Sequence, residues 1–323
     1  MQLPAPLRVV PVVTGPHDLP ASWRGAVVTI GVYDGVHRGH RAVIQDVVAR
    51  ARELGRPALV LTFDPHPAEV VRPGSHPAAL STLPHRVALL GGLGVDAVVV
   101  LPFTAEVMRQ TAAEFIDDVL VRDLGVAEVV VGENFRFGNR AAGRVETLRE
   151  AGARQGFAVR TVALAGADAT WSSTLVRRLV ADGDMAGAAE ALGRWHRLEG
   201  QVVHGDARGR LLGFPTANLH LPPYSAVPAD GVYAGYLVRQ PYAAEPVALP
   251  AAVSIGTNPT FDGTTRRVEA YVLDHDDLDL YDEHVALDLC VRLRETLSFG
   301  TVEALVDQIG VDVARTRELL VGS

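Results

Sequence analysis

An α/β domain followed by an all-β barrel or sandwich with a C-terminal helix is the fold class that the sequence predicts. Strand-like and helix-like segments alternate over residues 26–162, and short β-like segments with Gly/Pro turns replace them after residue 194. Residues 301–320 have the pattern of an amphipathic helix. The length of 323 residues fits about two domains, which we place at 1–190 and 191–323.

The first half predicts a parallel sheet covered by helices. The predicted strands are 26–31, 58–63, 97–101, 128–131 and 158–162. The predicted helices are 41–54, 85–92, 111–124 and 145–155, followed by a helix pair in 173–192 with its turn at 182–184.

The second half predicts an antiparallel barrel or sandwich, because its β-like segments are short and are separated by Gly/Pro turns. These segments are 197–203, 231–238, 251–255, 267–273 and 285–293.

Composition excludes several classes of protein. The net charge of −8 argues against nucleic acid as a partner, and the single cysteine excludes a disulfide framework. No apolar segment reaches the roughly 18 residues of a membrane helix, and residues 1–15 do not resemble a secretory signal, so we expect a cytoplasmic enzyme. All 30 basic residues are arginine, which excludes a standard P-loop and leaves Arg, His, backbone N–H groups and metal to handle phosphate.

The segment GVYDGVHRGH at residues 31–40 joins a predicted strand to a predicted helix. Such a turn directs N–H groups and the positive end of the helix dipole at a ligand, commonly a phosphate. Gly35 and Gly39 allow close backbone approach, and His37 and His40 share one side of the first turn. Exposed loop histidines, or zinc ligands without an obvious third partner, are the alternatives.

The segment GQVVHGDARGRLLGFPTAN at residues 200–218 predicts a second phosphate loop, with Gly205, Gly209 and Gly213. Thr216 and Asn218 are two residues apart on an extended segment and offer neutral oxygens of the kind that suits Mg²⁺. An ordinary β-hairpin with a glycine turn is the alternative.

Three further sites carry candidate polar groups. Glu269 is a lone carboxylate on a half-buried strand, suited to general-base work or to an ion pair with Arg266 or Arg267. The remaining candidates are Ser173, Thr174 and Arg177 at a predicted helix start, and Asn134 in a loop. A plain helix cap and an Asx turn are the alternatives for these.

The chain resembles two families in order. TIGVYDGVHRGH at 29–40 is similar to the motif of nucleotidyltransferases, and LTFDPHP at 61–67, GENFRFG at 132–138 and WSSTLVR at 171–177 resemble bacterial FAD synthetases. The 200–218 segment, DGVYAG at 230–235, SIGTNPT at 254–260 and Val268-Glu269 resemble riboflavin kinases. Together they resemble the bifunctional riboflavin kinase/FMN adenylyltransferase family over nearly the whole chain.

This resemblance implies a Rossmann-like nucleotidyltransferase domain followed by a Greek-key riboflavin kinase barrel. It implies phosphorylation of riboflavin to FMN and adenylylation of FMN to FAD, with ATP as co-substrate, Mg²⁺ as cofactor and a monomer or weak homo-oligomer. By resemblance, Glu269 is the kinase base, and Thr216 and Asn218 hold the metal–nucleotide.

For the transferase, the resemblance implies that His37 and His40 stabilise the α-phosphate. Ser173, Thr174 and Arg177 would hold the β/γ side, and Phe63, Asp64 and Asn134 would contact flavin or nucleotide. Leu175 and Asp282 depart from the family pattern. They leave open that only one module is active, or that the chain is a non-catalytic flavin- or nucleotide-binding regulator.

Overall fold

The computed structural model describes residues 8–162, 171–205, 209, 212–260, 263–275 and 278–322. They divide into two compact units. The first comprises the described residues of Leu7–Pro77 and Leu83–Ser172, and the second those of Ala78–Thr82 and Ser173–Ser323. The predicted boundary between residues 190 and 191 refers to the two expected activities. The compact units divide elsewhere, between Ser172 and Ser173, and the predicted boundary stays a prediction.

The first unit is built on a six-stranded parallel sheet in the order β1-β4-β3-β2-β5-β6. Its strands are β1 (Val12–Thr14), β2 (Val27–Ile30), β3 (Ala58–Asp64), β4 (Ala97–Pro102), β5 (Glu128–Gly132) and β6 (Ala158–Val162). The four central strands are almost fully buried, whereas β1 and β6 at the edges are partly exposed. The predicted parallel sheet is confirmed, with β1 as an edge strand that the prediction lacked.

Helices cover both faces of this sheet, because successive strand residues point to opposite sides. Val28 joins the apolar core on one face and Val27 the core on the other. The helices are α1 (Arg38–Leu54), α2 (Pro67–Val71), α3 (Leu83–Gly92), α4 (Ala105–Arg109), α5 (Ala112–Glu114) and α6 (Val145–Gln155). Short 3₁₀ turns lie at Pro16–Asp18, Ala21–Trp23 and Asn139–Ala141.

The segment 111–124 is helical as predicted, but most of it is a π-helix and not an α-helix. A single α turn, α5, leads into a π-helix at Phe115–Asp123, whose wider turns are shown by the Leu124 N–H donating to the Val119 carbonyl, five residues back. Such turns concentrate at functional sites, and Phe115 lines the aromatic cavity described below.

The second unit contains a closed antiparallel barrel in the order β10-β11-β8-β7-β12-β9. Its strands are β7 (His196–Val203), β8 (Ala217–His220), β9 (Gly231–Arg239), β10 (Val247–Thr260), β11 (Gly263–Val272) and β12 (His284–Arg294). Helices α7 (Ser173–Ala181), α8 (Met185–Leu192) and α9 (Val302–Leu320) complete it. The predicted barrel, helix pair and C-terminal helix are confirmed.

The C-terminal helix is anchored to the barrel by a buried ion pair. Arg294 on β12 donates from Nε and Nη2 to the carboxylate of Asp312 on α9, at 2.9 and 2.6 Å. Thr316, one turn further, donates to the Asp312 carbonyl. Because Asp312 is only 5 % exposed, loss of Arg294 would leave a buried charge unpaired.

Candidate functional sites

In the first unit, the motif loops meet at one edge of the sheet. The loop 31–37 follows β2, Asp64 ends β3 and the loop 133–138 follows β5. Strands β3 and β5 pair in parallel with β2 on its two sides, so the carboxyl ends of the three strands lie together. The strands that follow β2 first extend the sheet on the β3 side, and β5 then begins the opposite side. Reversal of strand order creates a crevice where ligands bind in open α/β sheets.

The two motif histidines form a compact pair at the start of α1. His37 is the N-cap, with Nδ1 accepting from the His40 N–H at 3.4 Å, and the two rings stack with centroids 3.6 Å apart. Gly39 permits this arrangement, since a Cβ there would lie 3.1 Å from the Trp171 carbonyl oxygen and 3.2 Å from the His37 ring. The structure therefore brings His37, His40 and Gly39 together as predicted.

The buried Tyr33 packs against the histidine pair. Its ring meets that of His40 edge-on at 5.0 Å, and its hydroxyl lies 2.5 Å from Oγ1 of Thr29. Burial raises the pKa of the Tyr33 phenol, so it stays protonated. Gly31 leaves room for the ring, because a Cβ there would lie 3.0 Å from it, and Gly35 turns the chain with φ of 75°.

Arg86 on α3 is a site residue that the sequence reasoning missed. It is only 6 % exposed, and its Nη1 donates to the Val32 carbonyl at 2.7 Å, which also accepts from Thr62 Oγ1 at 3.0 Å. Burial lowers the pKa of the Arg86 guanidinium, while the carboxylates of Asp34 and Asp64 act to raise it. No local signal marks Arg86, because it lies about fifty residues from the loop that it holds.

An aromatic cavity of about 830 Å³ opens beside these loops. Phe63 meets Phe103 edge-on at 5.7 Å, and Phe135 stacks on Phe137 at 5.6 Å. The predicted flavin contact Phe63 therefore lies in a wall suited to a flat ring, whereas Asn134 is exposed on the neighbouring turn and Asp64 is exposed at the strand end. Phe103 and Phe115 were not predicted, since they lie outside the recognisable motifs.

Ser173 and Thr174 begin α7 in the second unit, and Arg177 lies one turn further along this helix. Nε of Arg177 donates to the Ala78 carbonyl at 2.6 Å. The expected role of these three residues at the triphosphate stays a prediction.

In the barrel, strand register places Asn218 and Glu269 side by side. Glu269 on β11 is the direct partner of Asn218 on β8, and Asn218 is also paired with Val203 on β7. Directly opposed residues of antiparallel strands point to the same face. Val268 and Ala270 are buried whereas Glu269 is half-buried, so the predicted carboxylate and amide share the outer face of the barrel.

Two glycines of the 200–218 segment, Gly205 and Gly209, allow other atoms to approach the backbone closely. A Cβ on Gly205 would lie 2.3 Å from Nδ2 of Asn218, and one on Gly209 would lie 2.4 Å from the Phe214 carbonyl oxygen and 3.4 Å from Oγ1 of Thr216. Gly213 has φ of 83°. Residues 206–208, 210 and 211 of this motif lie outside the described residues.

The ion-pair alternative for Glu269 fails for Arg266. The Arg266 guanidinium donates to Asp230 and to the carbonyls of Val227 and Pro228. Burial by itself would raise the pKa of the Asp230 carboxyl. The hydrogen bonds from Thr257 and Arg266, together with the Arg266 charge, outweigh that effect and lower this pKa.

Two cavities border the predicted metal ligands. Asn218 lines an open cavity of about 600 Å³ together with Gly205, and Thr216 lines a smaller one of about 50 Å³. Among the described residues, no group of three His, Cys, Asp or Glu side chains could hold a metal by itself. A divalent cation here would need phosphate and water oxygens besides those of Thr216 and Asn218, which is the habit of Mg²⁺.

Family models match both halves of the chain. The FAD synthetase model covers residues 19–175 and the riboflavin kinase model covers residues 192–320. Among solved structures, a chain described as a macrolide-efflux protein from Streptococcus pneumoniae superposes with a TM-score of 0.83 at 30% identity, covering 96% of this chain and 99% of that one. In the part of the chain that the structure describes, no helix is long and apolar enough to span a membrane.

Relatives match along the whole length. The bifunctional riboflavin kinase/FMN adenylyltransferase of Pseudomonas fluorescens is 41% identical over 95% of this chain and 97% of its own length. The enzyme of the same description from Escherichia coli K12 is 37% identical, over 95% and 96%. With both family models in the same order and the motif residues in place, the chain belongs to the bifunctional riboflavin kinase/FMN adenylyltransferase family.

Proposed function

We propose that the chain catalyses two successive transfers from ATP, converting riboflavin to FMN and FMN to FAD. The observation that carries this function is that one chain matches both family models in order and a bifunctional relative over 95% of its length. A single active module is not favoured, because relatives that match along the whole length are described as bifunctional. A non-catalytic regulator is not favoured, because a binding protein would not require a base such as Glu269.

In the kinase step, Glu269 accepts the proton of the riboflavin 5′-hydroxyl. The hydroxyl oxygen then bonds to the γ-phosphorus of ATP, and the bond to the β-phosphate oxygen breaks to release ADP. Asn218, directly opposite Glu269, and Thr216 would hold the Mg²⁺ that neutralises phosphate charge. Gly205, Gly209 and Gly213 would let the backbone approach these phosphates.

In the transferase step, an FMN phosphate oxygen bonds to the α-phosphorus of ATP and pyrophosphate leaves. FMN is itself the nucleophile, so no protein nucleophile is needed. The stacked His37–His40 pair at the α1 N-terminus stabilises negative charge as it develops at the α-phosphate. Ser173, Thr174 and Arg177 are proposed to hold the departing β/γ-phosphates.

A product assay tests this function. The purified chain is mixed with riboflavin, ATP and Mg²⁺, and FMN and FAD are separated by chromatography with fluorescence detection. FAD formed by way of FMN supports both modules, and its loss with EDTA supports the metal. FMN alone refutes the transferase, FAD from supplied FMN alone refutes the kinase, and unchanged flavins refute both. A cytoplasmic location and a monomer or weak homo-oligomer remain parts of the same proposal.

A further inference from the structure

Arg266 on β11 holds a stretch of chain that has no regular secondary structure. The stretch comprises residues 227–230, between β8 and β9, and we call it the clamped segment. The Arg266 guanidinium donates from Nη1 to the Val227 carbonyl at 2.9 Å and from Nη2 to the Pro228 carbonyl. It also donates to Oδ1 of Asp230, from Nε at 3.2 Å and from Nη2 at 2.6 Å. One side chain thus bonds three of the four residues of this segment.

The other two carbonyls of the clamped segment are bonded from two further barrel strands. Tyr233 on β9, which is fully buried, donates its hydroxyl to the Ala229 carbonyl at 2.5 Å. Arg292 on β12 donates from Nη2 to the Asp230 carbonyl at 2.6 Å. Four successive carbonyls therefore accept hydrogen bonds from side chains that the barrel strands hold in place. A lone exposed ion pair contributes little, whereas a planar guanidinium within such a network fixes the geometry of the groups that it bonds.

The clamped segment contributes to the wall of the open cavity of about 600 Å³. Val227 lines this cavity, as does Arg266 itself, and Asn218 and Gly205 belong to the same lining. Pro228 has no N–H group to donate to a neighbouring strand, so the side-chain bonds take the place of a strand ladder here. Because phosphoryl transfer depends on positioning, movement of this wall would change how the cavity fits a substrate.

We propose that Arg266 is a positioning residue of the kinase step, which keeps the clamped segment in place as a wall of the cavity beside Asn218. This inference rests on the proposed phosphorylation of riboflavin, in which Asn218 and Gly205 lie at the phosphates of ATP. Binding against a wall that is already ordered avoids the cost of ordering it, so the affinity for ATP depends on Arg266. Direct contact between Arg266 and ATP is the alternative that the test separates.

The test follows FMN formation from riboflavin with Mg²⁺ and measures KM for ATP and kcat. Arg266→Met keeps an unbranched side chain and removes every donor. We expect this variant to raise KM for ATP about tenfold and to keep kcat within about threefold of the unaltered chain. A merely structural role gives a different result, because an unfolded fraction lowers kcat in proportion and leaves KM unchanged.

Tyr233→Phe separates positioning from direct contact with ATP. It removes the hydroxyl that bonds the Ala229 carbonyl, and Tyr233 lies outside the described lining of the cavity. If the fixed wall sets the affinity, this variant also raises KM for ATP, by about threefold. An unchanged KM in Tyr233→Phe beside a raised KM in Arg266→Met indicates direct contact and overturns the inference.

Arg317→Met is the matched control. Arg317 is a partly exposed arginine of the same unit, and it donates two hydrogen bonds to the carboxylate of Asp274, at 2.5 and 2.8 Å. This variant should keep the KM and kcat of the unaltered chain, and a rise in KM equal to that of Arg266→Met overturns the inference. An unchanged KM for ATP in Arg266→Met overturns it as well, whether or not kcat falls. Failure of the unaltered chain to form FMN from riboflavin overturns the proposed kinase function instead.

Discussion

Gly205→Ala should disable the kinase step while leaving adenylyl transfer intact. The added Cβ would lie 2.3 Å from Nδ2 and 2.5 Å from Cγ of Asn218, whereas ordinary contact begins at 3.4 Å, so relief requires about 1 Å of movement. Asn218 is held by pairing with Val203 and Glu269, so its side chain must leave its place beside the carboxylate. Misplacement by about 1 Å in an active site can lower the rate about 100-fold.

The assay follows FMN formation from riboflavin and FAD formation from supplied FMN in separate reactions with one preparation. Gly310→Ala is the matched control, because it makes the same chemical change in the same unit at an exposed helix position with nothing within 4 Å. Wild-type phosphorylation by Gly205→Ala would refute the placement of Asn218 in the kinase machinery. Equal loss of both activities would refute the assignment of Gly205 to one step.

Four further predictions use the same two reactions or thermal unfolding. His37→Ala and His40→Ala should each lower FAD formation and spare FMN formation, because the stacked pair loses an imidazole donor; an unchanged FAD rate would remove that histidine from the site. Glu269→Gln should lower riboflavin phosphorylation by about 10²- to 10⁴-fold and spare FAD formation from FMN, and full activity would exclude it as the base. Arg86→Met should lower FAD formation at least about tenfold through loss of the buried bond to the Val32 carbonyl, with phosphorylation as the internal control. Gly310→Ala should raise the free energy of unfolding by about 1 kcal/mol, because Gly310 is exposed within α9, and an unchanged or lower thermal midpoint would contradict this.

The architecture could be predicted because local pattern and tertiary environment agree. Strands β2 to β5 are buried on both faces, so they read as continuous apolar runs, and the barrel strands alternate between turns rich in Gly and Pro. β1 was missed because a three-residue edge strand carries almost no pattern of its own. The π-helix was missed because the spacing of its buried residues differs little from that of an α-helix.

The transferase site could be predicted only where its residues lie in one continuous segment. His37, His40 and Gly39 are neighbours in sequence, and their geometry follows from the strand-to-helix turn. Arg86 contacts the site from a separate element, α3, and arginine is an ordinary surface residue type in that segment. What marks Arg86 is the burial of its charged group, which no sequence pattern records.

In the barrel, strand register determines whether Asn218 and Glu269 lie side by side. Asn218 and Glu269 are about fifty residues apart in sequence, and they meet because β8 pairs with β11 in one particular register. A shift by one residue would send Glu269 into the barrel interior, where Val268 and Ala270 now pack. The apolar alternation that stabilises β11 therefore also fixes which face the carboxylate occupies.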